Sequence, residues 1–219
     1  MQGLYLVTPN WDDTDRLVAS TRAALDGGAA IVQYRHKDAS PALRMEQGAA
    51  LLALCRRYQV PLVINDHIDL CLVLGADGVH VGGTDAGVAQ ARAVLGPGKI
   101  VGASCYGELA LARAAARDGA TYAAFGGFYP SLVKKYSFTT APDIVTQARA
   151  DIGLPLVVIG GMTPENAAPL VARGAHMVAA ITAVYGSDDP AAAARRFGRL
   201  FSAMDAAVDA GTDGQVAPS

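Results

Sequence analysis

A Gly-Ala pair leads directly into a short apolar run in Gly75-Ala76-Asp77-Gly78-Val79-His80-Val81. The glycine can adopt the left-handed conformation that closes a helix, and the run after it is typical of a buried strand. The same pair precedes three other apolar runs, at Gly28-Ala29, Gly119-Ala120 and Gly174-Ala175. The spacing of roughly 45 to 55 residues is the length of two βα units, so the chain is predicted to repeat a βαβα block.

Apolar runs alternate with Ala-rich segments of helical period along the whole chain, as expected of βα units around a parallel sheet. The eight predicted strands are Leu4 to Thr8, Ala30 to Tyr34, Leu62 to Asp66, Gly78 to Val81, Ile100 to Ser104, Tyr122 to Gly126, Leu156 to Gly160 and Met177 to Ile181. The sequence therefore predicts the α/β class and a single (β/α)8 TIM barrel over residues 1–207.

Local signals mark the ends of these elements. Pro61 and Pro155 precede the third and seventh strands, where the residue before proline leaves helical geometry. Ser40-Pro41 and Thr163-Pro164 predict helix starts, although Thr163 is followed by Asn166 instead of the Glu of a full capping box. A last helix is predicted from Asp189 to about Ala207, and the small, polar residues 208–219 are predicted to form a disordered tail.

Length and composition favour one large domain. The chain has 219 residues, of which 52% are hydrophobic, enough for a sizeable single core. A doubly wound sheet is the competing architecture, but it usually carries a Gly-rich nucleotide turn after its first strand. The nearest similar stretch, Gly96-Pro97-Gly98 with Gly102, has the wrong spacing and precedes a strand, so a plain loop is the better interpretation.

Charge and cysteine content exclude several classes of partner. The formal net charge of -2 at pH 7 offers no basic surface for nucleic acid, and no apolar run reaches the roughly 18 residues that cross a membrane. Cys55, Cys71 and Cys105 show neither a disulfide framework nor zinc-ligand spacing. With no secretory signal before Leu4, we expect a soluble cytoplasmic protein that acts on small molecules. The sequence leaves open whether it forms a homo-oligomer.

Catalytic residues of such barrels lie at the carboxyl ends of the strands. The second strand continues into Gln33-Tyr34-Arg35-His36-Lys37, where alternation sends Gln33, Arg35 and Lys37 to one side. If that side faces the barrel mouth, an amide and two cations converge there. The alternative is a solvated loop of mixed charge.

Two carboxylates follow adjacent strands. Asn65 and Asp66 end the third strand, and Asp85 follows the fourth. Asp66 and Asp85 form a plausible Mg²⁺ site, because this ion takes one or two protein carboxylates and fills its other positions with water and phosphate oxygens. The alternative is that each aspartate caps the next helix.

Further polar groups follow the later strands. Ser104 ends the fifth, and the long connection from Gly127 to about Ala141 has the length of a binding loop, with Ser131 and an anion-binding candidate in Lys134. Lys135 fits ordinary surface charge equally well.

The last two strands end in a pattern typical of a phosphate site. Gly160 and Gly161 follow the seventh strand, and Ile181 and Thr182 end the eighth. Backbone amides at these positions bind phosphate in many barrels; the alternative is that the glycines only form tight turns. His80 and His176 are interpreted as packing residues or as residues whose ring nitrogens are satisfied by hydrogen bonds in one tautomer, and His67 as a surface residue.

These motifs together resemble thiamine phosphate synthase from about Gly3 to Arg196. The resemblance rests on six stretches: Gly3-Leu4-Tyr5-Leu6-Val7-Thr8, Gln33-Tyr34-Arg35-His36-Lys37, Pro61-Leu62-Val63-Ile64-Asn65-Asp66, Gly75-Ala76-Asp77-Gly78-Val79-His80-Val81-Gly82, Ile159-Gly160-Gly161-Met162-Thr163-Pro164-Glu165-Asn166 and Ala180 to Gly186. The resemblance implies that hydroxymethylpyrimidine diphosphate is coupled to hydroxyethylthiazole phosphate with release of pyrophosphate.

The resemblance also implies a role for each matching residue. Mg²⁺ would be held by Asp66 and Asp85, and the diphosphate by Arg35, Lys37, Asn65 and Lys134. The pyrimidine would be placed by Gln33 and Ser104, and the thiazole phosphate by Ser131, Gly160, Gly161, Ile181 and Thr182.

One departure from the family pattern affects the second substrate. The family usually has Pro-Thr-x-Thr-Lys where this chain has Pro130-Ser131-Leu132-Val133-Lys134, so one hydroxyl is lost at Val133. This loss favours one alternative to the synthase, a non-catalytic phosphate-binding or regulatory barrel. The other alternative is an isomerase related to the thiazole tautomerase, which needs no diphosphate-metal site; the retention of Gln33, Arg35, Lys37, Asn65, Asp66 and Asp85 argues against it.

Overall fold

The apolar runs and the helical segments that alternate along the chain form a closed barrel. The computed structural model describes residues 1–82, 87–131 and 137–212, with side chains up to residue 202. Its eight parallel strands pair in chain order and β1 pairs with β8. The strands are β1 (Gly3–Val7), β2 (Ile31–Tyr34), β3 (Leu62–Asn65), β4 (Gly78–Val81), β5 (Ile100–Tyr106), β6 (Tyr122–Gly126), β7 (Leu156–Ile159) and β8 (Met177–Ala180). The predicted (β/α)8 barrel is confirmed.

A helix follows each strand on the outside of the barrel. The helices are α1 (Thr14–Asp26), α2 (Pro41–Tyr58), α3 (Ile68–Leu74), α4 (Val88–Leu95), α5 (Leu109–Arg117), α6 (Asp143–Asp151), α7 (Pro164–Ala172), α8 (Thr182–Tyr185) and α9 (Pro190–Thr212). The short α8 was not predicted. No helix in the described part of the chain combines the length and the apolar character that a membrane span requires.

The predicted helix boundaries hold with two corrections. The Gly of each Gly-Ala pair has a positive φ, at 90°, 67°, 88° and 104° for Gly28, Gly75, Gly119 and Gly174. Asn166 completes a capping box with Thr163 after all, because its side chain accepts from the Thr163 N–H at 2.8 Å. The final helix extends past its predicted end, so residues 208–212 of the expected tail are helical, while residues 213–219 lie outside the described part.

Side chains that point into the barrel fill its lower half. Ile31, Val63 and Met177 are fully buried there against Tyr5 and Tyr122. The two tyrosine rings meet edge to face with centroids 5.6 Å apart. Gly102 makes this packing feasible, since a Cβ at that position would lie 2.0 Å from Tyr122 Cζ. We refer to Tyr5 and Tyr122 as the tyrosine floor.

Candidate active site

A cavity of about 150 Å³ opens above the tyrosine floor at the carboxyl ends of the strands. The structure gathers most of the predicted site in its wall, namely Gln33, Arg35, Lys37, Asn65, Asp66, Ser104 and Ile181. Gly160 and Thr182 directly follow the lining residues Ile159 and Ile181. Asp85 and Lys134 fall outside the described residues, as does Val133.

Strand alternation carries Gln33, Arg35 and Lys37 into the cavity as predicted. Gln33 is buried, whereas the Lys37 side chain is 57% exposed, so the description as a solvated loop still fits the end of this segment. The buried Thr8 side chain fixes the end of the strand, because its hydroxyl accepts from the Arg35 N–H at 2.8 Å and donates to the Arg35 carbonyl at 3.0 Å. His36 points the other way, with Nε2 3.0 Å from Asp12.

Asp66 reaches the cavity through an unusual backbone conformation. Its φ is +63°, a strained value for a residue with a side chain, and its N–H donates to the His80 carbonyl at 2.9 Å. Its carboxylate accepts from Asn65 Nδ2 at 2.6 Å and lies 3.9 Å from Lys37 Nζ. The cap residue of α3 is His67, so the interpretation of Asp66 as a helix cap is wrong.

The Asp66 carboxylate suits a hard divalent cation that also binds oxygen atoms of a ligand. The Asp66 side chain is 28% exposed at the cavity rim, so one carboxylate is accessible to an ion. No group of three or more His, Cys, Asp or Glu side chains gathers around a common point within the described residues. A cation held here would complete its coordination with substrate oxygens and water, which is the usual arrangement for Mg²⁺.

A chain of hydrogen bonds crosses the bottom of the cavity. Gln33 Nε2 donates to the Tyr5 hydroxyl at 2.8 Å, and the hydroxyls of Tyr5 and Tyr122 are 2.6 Å apart. His80 Nδ1 lies 2.9 Å from the Tyr122 hydroxyl, and its Nε2 lies 2.9 Å from Ser104 Oγ. We call these five side chains the hydroxyl relay.

The relay changes the interpretation of His80. Both ring nitrogens of His80 have hydrogen-bond partners, as one of the two expected roles requires, but its position in the cavity wall between Tyr122 and Ser104 was not predicted. Sequence reasoning also missed Tyr5, whose inward position follows from the alternation along β1. Burial raises the pKa of Tyr5 to about 12 and that of Tyr122 well above its ordinary value of 10.0, so both phenols keep their protons.

The end of β5 contributes a further residue that was not predicted. Its register with β6 shifts between Ser104 and Tyr106, and Tyr106 has a φ of +51°. Such an irregularity redirects side chains, and Tyr106 consequently lines the same cavity. Nothing in the residue types around position 106 signals this shift.

The two glycines after β7 allow a close approach of the β6–α6 connection. Gly160 and Gly161 have φ values of +114° and +60°, and a Cβ on Gly161 would lie 2.2 Å from the Pro130 carbonyl oxygen. The segment that carries Ser131 therefore lies directly beside these glycines. They have the conformation of a tight turn, and they directly follow Ile159, which lines the cavity.

The remaining histidines behave as predicted. His176 Nδ1 accepts from the Leu156 N–H at 3.0 Å, and the guanidinium of Arg149 lies beside its Nε2. Burial, followed by the charge of Arg149, lowers the pKa of His176. His67 lies at the start of α3 and contacts Arg44.

Fold and site together define a class of protein: a (β/α)8 barrel enzyme with cationic and acidic side chains and glycine turns at the carboxyl ends of its strands. The family model described as thiamine monophosphate synthase matches residues 4–184. The chain belongs to this family.

Individual relatives agree with the family match. The chain is 62% identical to the thiamine-phosphate synthase of Janthinobacterium sp. (strain Marseille), over 92% of this chain and 98% of that protein. It is 51% identical to the thiamine-phosphate synthase of Methylobacillus flagellatus, over 92% and 96% of the two chains. Among solved structures, thiamine phosphate pyrophosphorylase from Pyrococcus furiosus superposes with a TM-score of 0.81 at 30% identity, covering 92% of this chain and 96% of that one.

Proposed function

We propose that this protein joins hydroxymethylpyrimidine diphosphate to hydroxyethylthiazole phosphate, forming thiamine phosphate and pyrophosphate. The main support for the proposal is that charged and uncharged side chains lie at different depths of the cavity. Arg35, Lys37 and Asp66 line its wall toward the rim, whereas Gln33 and Ser104 are tied to the tyrosine floor. A diphosphate and an aromatic ring on one small substrate need this separation of charged and uncharged contacts.

The first step breaks the bond between the pyrimidine methylene carbon and the diphosphate oxygen. The bonding electrons leave with pyrophosphate, and the remaining methylene cation is stabilised by the ring amino group. Arg35 and Lys37 stabilise the charge that develops on the departing oxygens, and Asn65 contributes an amide from the same wall. Lys134 is assigned to the same task on the resemblance alone.

The second step forms a bond between the thiazole nitrogen and the methylene carbon. It requires positioning and no base, because the attacking nitrogen carries a lone pair and no proton has to be removed. The amides near Gly160, Gly161, Ile181 and Thr182, with Ser131 from the adjoining segment, would hold the thiazole phosphate at the rim. This arrangement directs the ring of the second substrate toward the cavity.

Asp66 and Asp85 would hold Mg²⁺ beside the diphosphate. The ion supplies positive charge to the leaving group when bound. Asn65 and Lys37 orient the Asp66 carboxylate toward the same wall.

The two alternative functions predict different sites. A thiazole isomerase needs no diphosphate, yet this cavity contains Arg35, Lys37 and Asp66 together. A non-catalytic phosphate-binding barrel needs only the amides at the rim. Neither alternative accounts for the amide and hydroxyl of Gln33 and Ser104 at the bottom.

One assay separates the three functions. Purified protein is mixed with both substrates and Mg²⁺, and pyrophosphate and thiamine phosphate are measured. We expect both products in equal amounts, and only when both substrates and the ion are present. Isomerised thiazole without pyrophosphate would indicate the isomerase, and thiazole phosphate binding without any turnover would indicate the non-catalytic barrel. We further expect the reaction to take place in the cytoplasm.

A further inference from the structure

In each hydrogen bond of the hydroxyl relay, the donor and the acceptor can be assigned from the number of protons that each group carries. Gln33 Nε2 bears two N–H groups and can only donate, so the Tyr5 hydroxyl oxygen accepts this hydrogen bond. The single proton of Tyr5 is then donated to Tyr122, and the single proton of Tyr122 is donated to His80 Nδ1. Both phenols have this proton to give because their pKa values are raised by burial.

The direction determines the tautomer of His80. A neutral imidazole that accepts at Nδ1 carries its proton on Nε2. This N–H donates to Ser104 Oγ at 2.9 Å. Ser104 thus accepts from the protein, and its own hydroxyl proton is directed to the cavity that it lines. The opposite direction would require Gln33 to present its oxygen to Tyr5, whereas the structure places Nε2 there.

We propose that His80 is a positioning residue that makes Ser104 a hydrogen-bond donor toward the substrate, and that the relay thereby selects an aminopyrimidine over an oxopyrimidine. The proposal rests on the proposed function. The relay uses one Gln33 N–H and does not use Gln33 Oε1, so the amide still presents an acceptor beside a donor. An exocyclic amino group beside a ring nitrogen presents the complementary pair, and Ser104 serves the other ring nitrogen.

An oxopyrimidine reverses this pattern on one side. It presents a carbonyl acceptor beside a ring N–H donor, so Gln33 would have to turn its amide and face Tyr5 with oxygen. Each hydrogen bond along the relay, through Tyr122 and His80 to Ser104, would then have to exchange its donor and acceptor. Because the tyrosine floor is buried, water cannot repair a mismatched bond there. Selectivity is thus shared by residues from five strands.

The test breaks the relay at two points and includes a rescue. Tyr122→Phe removes one hydroxyl and keeps the ring that packs against Gly102, and His80→Leu removes both ring nitrogens. His80→Gln keeps an amide N–H near the position of Nε2. Tyr34→Phe is the matched control, because its buried hydroxyl bonds to Gln47 on the outer side of the barrel.

We expect Tyr122→Phe and His80→Leu to raise KM for the pyrimidine diphosphate by about ten- to a hundredfold, with KM for the thiazole phosphate unchanged. Both variants should also discriminate less against the 4-oxo analogue. His80→Gln should recover much of the loss, and Tyr34→Phe should match the wild type. Equal changes in both KM values, or an unchanged KM for the pyrimidine, would overturn the proposal.

A second measurement uses the unaltered protein. Nitrogen-15 NMR of labelled histidine identifies which ring nitrogen carries the proton, and the His80 signals are assigned by their loss in His80→Gln. We expect the proton on Nε2, and a proton on Nδ1 would overturn the relay direction whether or not the variants fold. Absence of pyrophosphate release by the wild type would contradict the proposed function instead, so the two failures are distinguishable.

Discussion

Asn65 and Asp66 are consecutive residues whose side chains both line the cavity, with Asn65 Nδ2 2.6 Å from Asp66 Oδ2. Neighbours in a strand normally point to opposite faces. The left-handed backbone at Asp66, with φ of +63°, turns its carboxylate back to the face of Asn65. The amide then fixes one carboxylate oxygen in place.

Replacing the acid should remove the metal-dependent reaction without unfolding the protein. We expect Asp66→Asn, and likewise Asp85→Ala, to lower kcat by more than about a hundredfold, because the ion loses a charged ligand. Turnover is measured against Mg²⁺ concentration, with thermal unfolding to verify the fold. Asp69→Asn, on the exposed surface of α3, is the control; wild-type activity in Asp66→Asn would refute the metal assignment.

Lys134 and Lys135 should differ although they are adjacent. Only Lys134 matches the family position for contact with the departing diphosphate, so Lys134→Ala should lower kcat by about tenfold or more and Lys135→Ala by much less. Steady-state kinetics with both variants under identical conditions provide the comparison. Equal losses would argue against a specific contact by either lysine.

Gly161 should not tolerate a side chain. Gly161→Ala combines a positive φ with a Cβ placed 2.2 Å from the Pro130 oxygen, so the adjoining loop must move. We expect a loss of about 1–3 kcal/mol in the free energy of unfolding and a raised KM for the thiazole phosphate. Gly153→Ala, where a Cβ meets nothing within 4 Å, should leave both values unchanged.

Substitution of Thr182 tests the thiazole phosphate pocket at the rim separately from the pyrimidine pocket at the bottom of the cavity. Thr182→Ala removes a hydroxyl at the start of α8, and we expect it to raise KM for the thiazole phosphate by about three- to tenfold, with little change for the pyrimidine diphosphate. Thr182→Ser should retain most of the affinity. If KM for the thiazole phosphate does not change, Thr182 does not belong to that pocket.

His176 should make the protein less stable in mild acid. Its pKa in the folded state is below the ordinary 6.5, because burial and the charge of Arg149 disfavour protonation. As the pH falls below about 6.5, the unfolded chain takes up a proton that the folded chain does not, so the stability decreases. Urea unfolding at about pH 7.5 and about pH 5.5 should show a smaller decrease for His176→Gln than for the wild type. An identical decrease in both proteins would assign the acid sensitivity to other groups.

Periodicity was sufficient to predict the barrel and one wall of the cavity. Gln33, Arg35 and Lys37 were placed correctly because they obey simple alternation from a regular strand. Asp66 was expected near them from its position at a strand end, but its orientation depends on a positive φ that no residue type around it announces.

The residues that sequence reasoning missed are joined by distant contacts. Tyr5 and Tyr122 are 117 positions apart, and His80 and Tyr122 are 42 positions apart. A single histidine in a strand carries no sign of the tyrosine across the barrel. Its chemistry became visible only when closure of the sheet brought the side chains together.

The tyrosine floor also determines from which side substrates can enter the cavity. Since Tyr5 and Tyr122 are buried at the barrel centre, the part of the cavity that the described residues line is closed at its base and opens at the carboxyl ends of the strands. If the pyrimidine binds against Gln33 and Ser104 as proposed, we expect it to enter before the thiazole phosphate, because a ligand at the rim would obstruct the way to the base of the cavity. We therefore expect the two rings at the base of the cavity to favour an ordered addition of the two substrates.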